Sequence, residues 1–349
     1  MHPFAGGAER TIYEVGRRLT KYGHEVKWFS VKTGSLPFKE DCSGISIIRF
    51  PSNIIAHLMA PIMLQKEEYD VVVDDMGHAV PWGSENFANS KGTVFFRHLH
   101  RRTLKGQVSS TLGFLISGLE AFYPLIYRDW SFVTESNSSI NDLVNLGIGR
   151  ERIVKILPGL GEDNFGIYKK SSSPTIVYYG GMRDYKRPWE PLYVLKELID
   201  THPNTHLFMV GSGPALERVI ETSKSVGVTE HVTFTGRLST QELREIVGAA
   251  WMNIHSSLAE GFGLSIIEAS ALGTPTVAYD VPGVNETVDN GKNGVLVENG
   301  NSKLMAEAII KVIDQYSDCW VQSPRDVARK YSWEKTARMW ERHLMALCE

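Results

Sequence analysis

Cysteine is scarce in this 349-residue sequence, and Cys42, Cys319 and Cys348 lie far apart. An odd number at such spacing argues against a disulfide framework or a zinc site and is typical of the reducing cytoplasm. No run of about eighteen apolar residues is present, and no basic stretch followed by an apolar run opens the sequence. We therefore expect a cytoplasmic protein, either soluble or peripheral to the inner face of the cell membrane.

An excess of one charge is also missing. Lysine and arginine number 37 against 40 acidic residues, which gives a net charge of −3 and no indication of nucleic-acid binding. The length of the sequence indicates how many domains it forms. Because 349 residues exceed what one hydrophobic core usually serves, we expect two domains.

Short β-branched runs alternate with amphipathic, helix-length segments along the whole sequence, which predicts an α/β fold with parallel sheets. The run from Pro158 to Pro174 is rich in Gly, Ser and Pro and lacks periodicity, so it is interpreted as the linker. Two Rossmann-like domains facing a cleft are predicted, over residues 1–160 and 161–330. The predicted strands are His24–Ser30, Ile45–Phe50, Tyr69–Asp75, Thr93–His98, Ser131–Glu135, Ile153–Leu157, Thr175–Gly180, His206–Val210, His231–Thr235, Met252–His255, Thr276–Tyr279 and Val295–Val297.

The start of the sequence is irregular. Gly6 and Gly7 lead into a helix whose apolar positions follow helical spacing, yet only five residues precede them. In a doubly wound domain such a glycine turn follows the first, central strand. We therefore expect that the N-terminal domain lacks its first strand and that the natural protein begins further upstream.

The segment from Leu258 to Val288 carries the strongest indication of chemistry. Gly261 and Gly263 favour a tight turn, and a helix is predicted from Leu264 to Leu272. The amide groups at a helix N-terminus suit the diphosphate of a nucleotide sugar. Glu260 in the loop and Glu268 one turn into the helix are placed to accept hydrogen bonds from sugar hydroxyls, although each alone is also explained as an ordinary helix or capping residue.

Residues 260–268 read EGFGLSIIE, and this segment resembles glycosyltransferase family 4, whose signature is two glutamates separated by seven residues. The resemblance implies the GT-B fold, a retaining reaction, and a C-terminal helix at 331–349 that packs back toward the first domain. It also implies that Glu268 contacts the donor ribose, Glu260 the sugar, and the loop the sugar and β-phosphate. The implied loop residues are Gly261, Phe262, Gly263 and Leu264.

Cations for the leaving diphosphate are offered by Arg183, Lys186 and Arg187, after the first strand of the second domain. The family usually carries Arg where this sequence has Gly181, so Arg183 is expected to take over that role. Arg237, in a turn that resembles the family's base-binding region, completes the predicted donor site. No Asp-x-Asp motif occurs, and Asp74-Asp75 is the nearest alternative for metal binding.

Further candidates lie in the first domain. His98 and His100 are predicted at the end of a strand, where open α/β sheets bind ligands. The resemblance implies that His98 is the catalytic histidine on the acceptor side, whereas a shift of one residue would place Arg97 there. Gly6 and Gly7 are assigned to the donor side. The apolar segment from Ser109 to Tyr127 follows a basic run and is interpreted either as a core helix or as a membrane contact.

The predicted activity is transfer of a sugar from a UDP- or GDP-sugar to a hydroxyl acceptor, such as a glycan, a lipid-linked glycan or a small molecule. It needs no metal or other cofactor. The catalytic group would comprise His98, Glu260, Lys186 and Arg183. Two alternatives remain: a non-catalytic nucleotide-sugar-binding subunit of a glycosylation complex, and a sugar-nucleotide epimerase or phosphorylase on the same fold.

Overall fold

The chain forms two compact units in a computed structural model that describes residues 6–77, 80–102, 116, 118–315 and 319–349. Among the described residues, the first unit comprises residues 6–77, 80–100, 116, 118–159 and 331–349, and the second comprises residues 101–102, 160–315 and 319–330. In the segment from Ser109 to Tyr127, residues 109–115 and 117 lie outside the described residues.

The first unit contains two β-sheets among its described residues. The order β1-β3-β2 forms one sheet, and β4-β5-β6-β7 forms a second sheet that is parallel throughout. The strands are β1 (Val26–Val31), β2 (Lys39–Cys42), β3 (Ile45–Phe50), β4 (Val71–Met76), β5 (Lys91–Phe96), β6 (Ser131–Thr134) and β7 (Ile153–Lys155). The helices are α1 (Gly7–Lys21), α2 (Asn53–Lys66), α3 (Tyr123–Ile126), α4 (Asn137–Asn145) and α11 (Trp333–Cys348).

Strand β2 was missed by the sequence prediction. It pairs antiparallel with β3, in the register Cys42 to Ile45. The two connecting residues, Ser43 and Gly44, have φ values of 59° and 82°, as a tight two-residue hairpin turn requires. Its sequence, Lys-Glu-Asp-Cys, lacks the apolar alternation by which a strand is recognised, because β2 is a largely exposed edge strand.

Helix α11 belongs to the first unit and packs on its parallel sheet. Trp340 is buried with Val15 and Leu19 of α1 and with Phe95 of β5. Its ring meets the Phe95 ring edge-on, with the centroids 4.9 Å apart. The last helix of the chain therefore completes the core of a unit built mainly from the first 159 residues.

The second unit is a six-stranded parallel sheet in the order β10-β9-β8-β11-β12-β13. The order reverses between β8 and β11, which is the switch point where doubly wound sheets bind ligands at the carboxyl ends of their strands. The strands are β8 (Thr175–Tyr179), β9 (His206–Val210), β10 (Val232–Gly236), β11 (Met252–His255), β12 (Thr276–Tyr279) and β13 (Gly294–Val297). The helices are α5 (Glu190–Ile199), α6 (Leu216–Val226), α7 (Thr240–Ala249), α8 (Leu264–Ala271), α9 (Ser302–Asp314) and α10 (Cys319–Ala328).

The α/β class with parallel sheets is confirmed, and each of the twelve predicted strands overlaps an observed one. The first strand of the described chain, β1, follows helix α1. The expectation that a central strand is missing before that helix stays a prediction. Within the described residues no helix is long and apolar enough to span a membrane.

Candidate donor site

The loop after β11 lies at the switch point of the second unit and leads directly into α8. Gly263 adopts φ 79°, a left-handed conformation that favours glycine, and α8 begins at the next residue without a side-chain cap. A Cβ on Gly283 would lie 2.0 Å from the Glu260 carbonyl oxygen, so only glycine permits this close approach. The helix N-terminus therefore presents backbone amides at the carboxyl edge of the sheet, which favours anion binding.

Lys186 and Glu260 form a mostly buried ion pair in this region. Lys186 Nζ lies 2.7 Å from Glu260 Oε1, and Ser257 Oγ donates to the same oxygen at 2.7 Å. Burial acts to raise the pKa of Glu260, but Lys186, His255 and the hydrogen bonds lower it to about 2. Burial acts to lower the pKa of Lys186, yet the Glu260 carboxylate raises it above its usual value. Both groups are therefore charged at neutral pH.

His255 is a third member of this cluster that sequence reasoning missed. It ends β11, and its Nε2 lies 3.6 Å from Glu260 Oε1. Its Nδ1 is buried and has no hydrogen-bond partner among the described residues. Burial lowers the pKa of His255 to about 4, so the imidazole is neutral at pH 7. A histidine ending an apolar strand immediately before the loop was the available signal.

The loop after β8 supplies the cationic side of the region. Arg183 is exposed and precedes the short 3₁₀ turn Asp184–Lys186, which ends in Lys186. Of the residues that the structure describes, a Cβ placed on Gly181 would meet Arg183 alone, with Nε 3.9 Å away. The Arg183 side chain thus runs beside the position from which the family's usual arginine would extend.

Arg187, predicted from the sequence as a phosphate cation, joins the loop of Lys186 to the loop of Glu260, and its role toward phosphate stays a prediction. Its Nε donates to the Ser256 carbonyl at 2.7 Å, and its Nη2 donates to the Ser257 carbonyl at 3.1 Å. Nη2 also donates to Asn299 Oδ1 at 2.6 Å. Ser256 Oγ donates in return to the carbonyls of Lys186 and Arg187, both at 2.9 Å. These bonds fix the loop of Lys186 against the loop of Glu260.

Three glycine turns meet at the same edge of the sheet, after β8, β9 and β10. Gly211 has φ 131°, and a Cβ there would lie 2.0 Å from the Gly180 carbonyl oxygen. Its amide donates to the Gly236 carbonyl at 2.8 Å. Arg237 follows directly, is exposed, and donates through Nε to Ser212 Oγ at 2.8 Å. The predicted base-side arginine is therefore positioned at the carboxyl edge.

The remaining donor-site candidates of the second unit surround α8. Glu268 lies one turn into the helix and is half-buried, whereas Phe262 is buried in the preceding loop. The Tyr179 hydroxyl, at the end of β8, donates to the Ser265 carbonyl in the first turn of α8. Strand β8 thereby anchors the helix N-terminus. The structure brings Lys186 and Glu260 into contact, and it places Arg183 and Arg237 on loops and Glu268 on helix α8 of the same unit.

The candidates of the first unit form a separate group. The amide of Gly6 donates to Glu9 Oε2 at 2.8 Å, so the N-terminus of α1 is capped by its own Glu9. His98 is half-buried beyond β5, and its ring stacks on His100 with centroids 5.0 Å apart. These observations locate the candidates, and their assignment to substrate stays a prediction.

Arg97 and the Asp74-Asp75 pair, the two alternatives raised by the sequence, have structural partners. The Arg97 guanidinium donates to Asp75 at 3.1 Å and to the buried Glu135 at 3.2 Å. Asp74 accepts hydrogen bonds from the Ser84 amide at 3.1 Å and the Tyr127 hydroxyl at 2.8 Å. Among the described residues, no cluster of three or more His, Cys, Asp or Glu side chains could hold a metal ion.

Comparison with known proteins identifies the family. The model of Glycosyltransferase Family 4 matches residues 5–163, and that of Glycosyl transferases group 1 matches residues 162–330. Together they cover almost the whole chain. The chain therefore belongs to the family-4 glycosyltransferases, as the EGFGLSIIE motif predicted.

The comparisons with individual proteins differ in how much of the chain they cover. D-inositol 3-phosphate glycosyltransferase of Rhodococcus erythropolis is 33% identical over 172 residues, which are 46% of this chain and 39% of that protein. In this relative and in the glycogen synthase of Mycobacterium tuberculosis, the match spans 39% and 51% of the relative's length. Sucrose-phosphate synthase of Thermosynechococcus elongatus has a TM-score of 0.82 at 20% identity, covering 98% of this chain and 94% of that chain. Anabaena HepE in complex with UDP-glucose has a TM-score of 0.78 at 16% identity, covering 98% and 96%. The GT-B fold is thereby confirmed.

Proposed function

We propose that this protein is a retaining glycosyltransferase that moves a sugar from a nucleoside-diphosphate sugar to a hydroxyl acceptor. The observation that carries the proposal is the mostly buried Lys186–Glu260 pair at the switch point of the six-stranded sheet of the second unit. This pair lies beside the N-terminus of α8, which has no side-chain cap. A cation and free helix amides suit a diphosphate, and an adjacent ionised carboxylate suits sugar hydroxyls. A nucleotide sugar carries both a diphosphate and a sugar.

Each donor group has a matching residue in this proposal. Lys186 and Arg183 neutralise charge on the departing diphosphate, and the amides from Gly261 to Leu264 bind its oxygens. Glu260 accepts hydrogen bonds from the sugar hydroxyls, whereas Glu268 accepts them from the ribose. Gly181, Phe262, Gly263 and Arg237 shape the remainder of the donor site, with Arg237 on the base side.

The reaction needs neither a protein nucleophile nor a metal or other cofactor in this proposal. The bond from the anomeric carbon to the phosphate oxygen breaks, and the bond to the acceptor oxygen forms on the same face. The acceptor proton passes to the departing phosphate oxygen. The residues therefore orient the reactants and stabilise developing charge. In the first unit, His98 is assigned to the acceptor side, while Gly6 and Gly7 are assigned to the donor side.

The donor is proposed to be a UDP- or GDP-sugar. The structure of HepE in complex with UDP-glucose supports a uridine nucleotide as the first candidate. A screen of nucleotide sugars by thermal stabilisation, followed by measurement of nucleoside diphosphate release with glycan, lipid-linked and small-molecule acceptors, tests the proposal. Release that requires both Glu260 and Lys186 is expected. If a nucleotide stabilises the protein but no acceptor leads to release of nucleoside diphosphate, the alternative of a non-catalytic binding subunit would be favoured. That alternative is motivated by Gly181, which stands where the family usually has arginine.

A further inference from the structure

Helix α8 is held at its C-terminal end by a buried arginine of helix α10. Arg325 is 8% exposed, and its Nη2 donates to the Leu272 carbonyl, directly after α8, at 3.3 Å. The same nitrogen donates to the Gly166 carbonyl at 2.9 Å. A cation is favourable at this position because the last carbonyls of a helix point out of its C-terminus and carry partial negative charge. Arg325 therefore joins the end of α8 to the segment that precedes β8.

A second cation, Lys170, reaches the same end of α8 from that segment. Its Nζ donates to Thr274 Oγ1 at 2.8 Å and to the Ala250 carbonyl at 2.7 Å. Thr274 Oγ1 donates in turn to the Val247 carbonyl, in the last turn of α7, at 2.7 Å. Burial and the Arg325 charge lower the pKa of Lys170 to about 7. The charged and the neutral amine both carry at least two N–H groups, so either form can make the two bonds.

Helix α8 connects these two cations to the donor site. A helix of eight residues is about 12 Å long, with the cations at its C-terminus and the candidate diphosphate amides at its N-terminus. Ile266, Ile267 and Ala269 are fully buried, and α10 packs along the helix. Because close-packed side chains transmit strain, a shift at the C-terminus of α8 should also move its N-terminal amides. A misplacement of about 1 Å is enough to impair a binding site.

We propose that Arg325 and Lys170 are positioning residues for the donor site, which act through α8 without contacting substrate. They set where the helix lies along its axis, and with it the place where the N-terminal amides meet the diphosphate. The Tyr179 hydroxyl holds the first turn of α8, so the helix is fastened at both ends. This inference rests on the proposed function, because it requires a diphosphate at the N-terminus of α8.

Nucleotide affinity measured by isothermal titration calorimetry tests this inference. UDP and GDP carry the diphosphate, whereas UMP and GMP have the same bases with a single phosphate. Arg325→Met removes the donor groups, and we expect it to bind the nucleoside diphosphate about tenfold more weakly. Lys170→Met should weaken the same binding by about threefold, because its bonds are with neutral oxygens. Both variants should bind the monophosphate nearly as the wild type does, and Arg325→Lys should recover most of the lost affinity.

The matched controls are Arg329→Met and Lys169→Met, because both residues are exposed and lie close in sequence to the residues tested. They should bind both nucleotides as the wild type does. Urea denaturation of each preparation shows that the variants are folded under the conditions of the titration. If Arg325→Met does not fold, Lys170→Met and Arg325→Lys still carry the test.

Contrary results separate the positioning role from the proposed function. If the affinities for diphosphate and monophosphate fall together, or if neither changes while the free energy of unfolding decreases, the two cations only stabilise the second unit. Either result overturns the positioning role and leaves the nucleotide-sugar donor in place. If the wild type binds neither UDP nor GDP, the proposed donor is wrong, and the positioning role fails with it.

Discussion

Lys186 Nζ lies 2.7 Å from Glu260 Oε1, and this contact joins the loop after β8 to the loop after β11 at the switch point of the six-stranded sheet. Each residue holds the other charged inside a mostly buried region: the carboxylate raises the pKa of Lys186, and the ammonium lowers the pKa of Glu260 against the effect of burial. The pair therefore preorganises charge in the site before any substrate arrives.

Removing either partner should lower turnover strongly while the protein remains folded. For Glu260→Gln or Lys186→Gln we expect turnover to fall by about 10² to 10³, because a preorganised group that stabilises the reacting charge is lost. Stability should also fall, by up to about 3 kcal/mol, since one charge remains without its partner. Turnover and urea denaturation of the same preparations measure the two effects. The double variant should recover stability without turnover, whereas full activity in both single variants would remove the pair from the donor site.

Arg183 should be replaceable by an arginine at position 181. The open space beside Gly181 and its proximity to Arg183 Nε lead to this expectation. Arg183→Ala should weaken donor use by about 10- to 100-fold, the range for a lost hydrogen bond between charged groups. Adding Gly181→Arg to that variant should restore much of it. The comparison is kcat/KM for donor consumption, with the exposed Lys303→Ala as the control, which should leave it unchanged.

The exchange is informative in both directions. If Gly181→Arg gives no recovery, the guanidinium of Arg183 does not substitute for the family's arginine. If Arg183→Ala alone behaves like the wild type, charge at this place is unnecessary, and Lys186 with the amides of α8 suffices for the diphosphate.

The loop chemistry of the site follows from the sequence to a large extent. Gly261 and Gly263 predicted the turn, and α8 begins at Leu264 and ends within one residue of the prediction. Strand β11 was predicted with its observed bounds, and all four of its residues are buried in this central strand of the sheet. Local glycine chemistry and hydrophobic runs are properties that neighbouring residues alone determine.

The roles of His255 and Arg187 were not predictable in the same way. The pKa of His255 depends on its burial and on the charges of Glu260, Lys186 and Arg187, which come from two different loops. The bonds of Arg187 reach Ser256, Ser257 and Asn299, up to 112 residues away in the sequence. Sequence spacing indicated a cation at position 187 but could not show which carbonyls would meet it after folding.

His255 should make the protein less stable in mild acid. Its pKa is lowered by burial from 6.5 to about 4, so between these pH values the unfolded chain binds more protons than the folded one. The contribution of His255 to the free energy of unfolding is therefore fully present above about pH 6.5. It is lost as the pH falls toward 4, by up to about 3 kcal/mol. Glu260 acts in a more acidic window, between its ordinary pKa of 4.5 and about 2.

The difference between wild type and His255→Gln isolates this contribution. Urea denaturation at several pH values from 7 to 4 should give a shallower loss of stability for His255→Gln, since glutamine does not titrate. The control is His202→Gln, because His202 pairs with Asp314 elsewhere in the second unit. Its free energy of unfolding should change with pH as that of the wild type does. Parallel profiles for wild type and His255→Gln would mean that the buried imidazole does not control acid stability.

Arg187 combines a strained backbone with side-chain bonds that offset the strain. Its φ of 45° lies in the left-handed region, which costs a non-glycine residue about 1 to 2 kcal/mol. The guanidinium bonds to three oxygens and lies over the Tyr279 ring at 4.7 Å. Arg187→Ala should keep the strain and lose the bonds, whereas Arg187→Gly should lose both. We therefore expect stability to decrease from wild type to Arg187→Gly to Arg187→Ala, with the two variants separated by about 1 kcal/mol.

Turnover should follow a different order from stability in this series. Both substitutions release the Ser256 and Ser257 carbonyls, which precede Glu260 in the same loop, so both should lower kcat to a similar extent although their stabilities differ. Arg187 then acts as a positioning residue, because it orients Glu260 through the loop without contacting substrate. Equal stability of the two variants would show that the backbone at position 187 is not strained. Wild-type kcat in both would show that the loop after β11 holds Glu260 in place without the guanidinium.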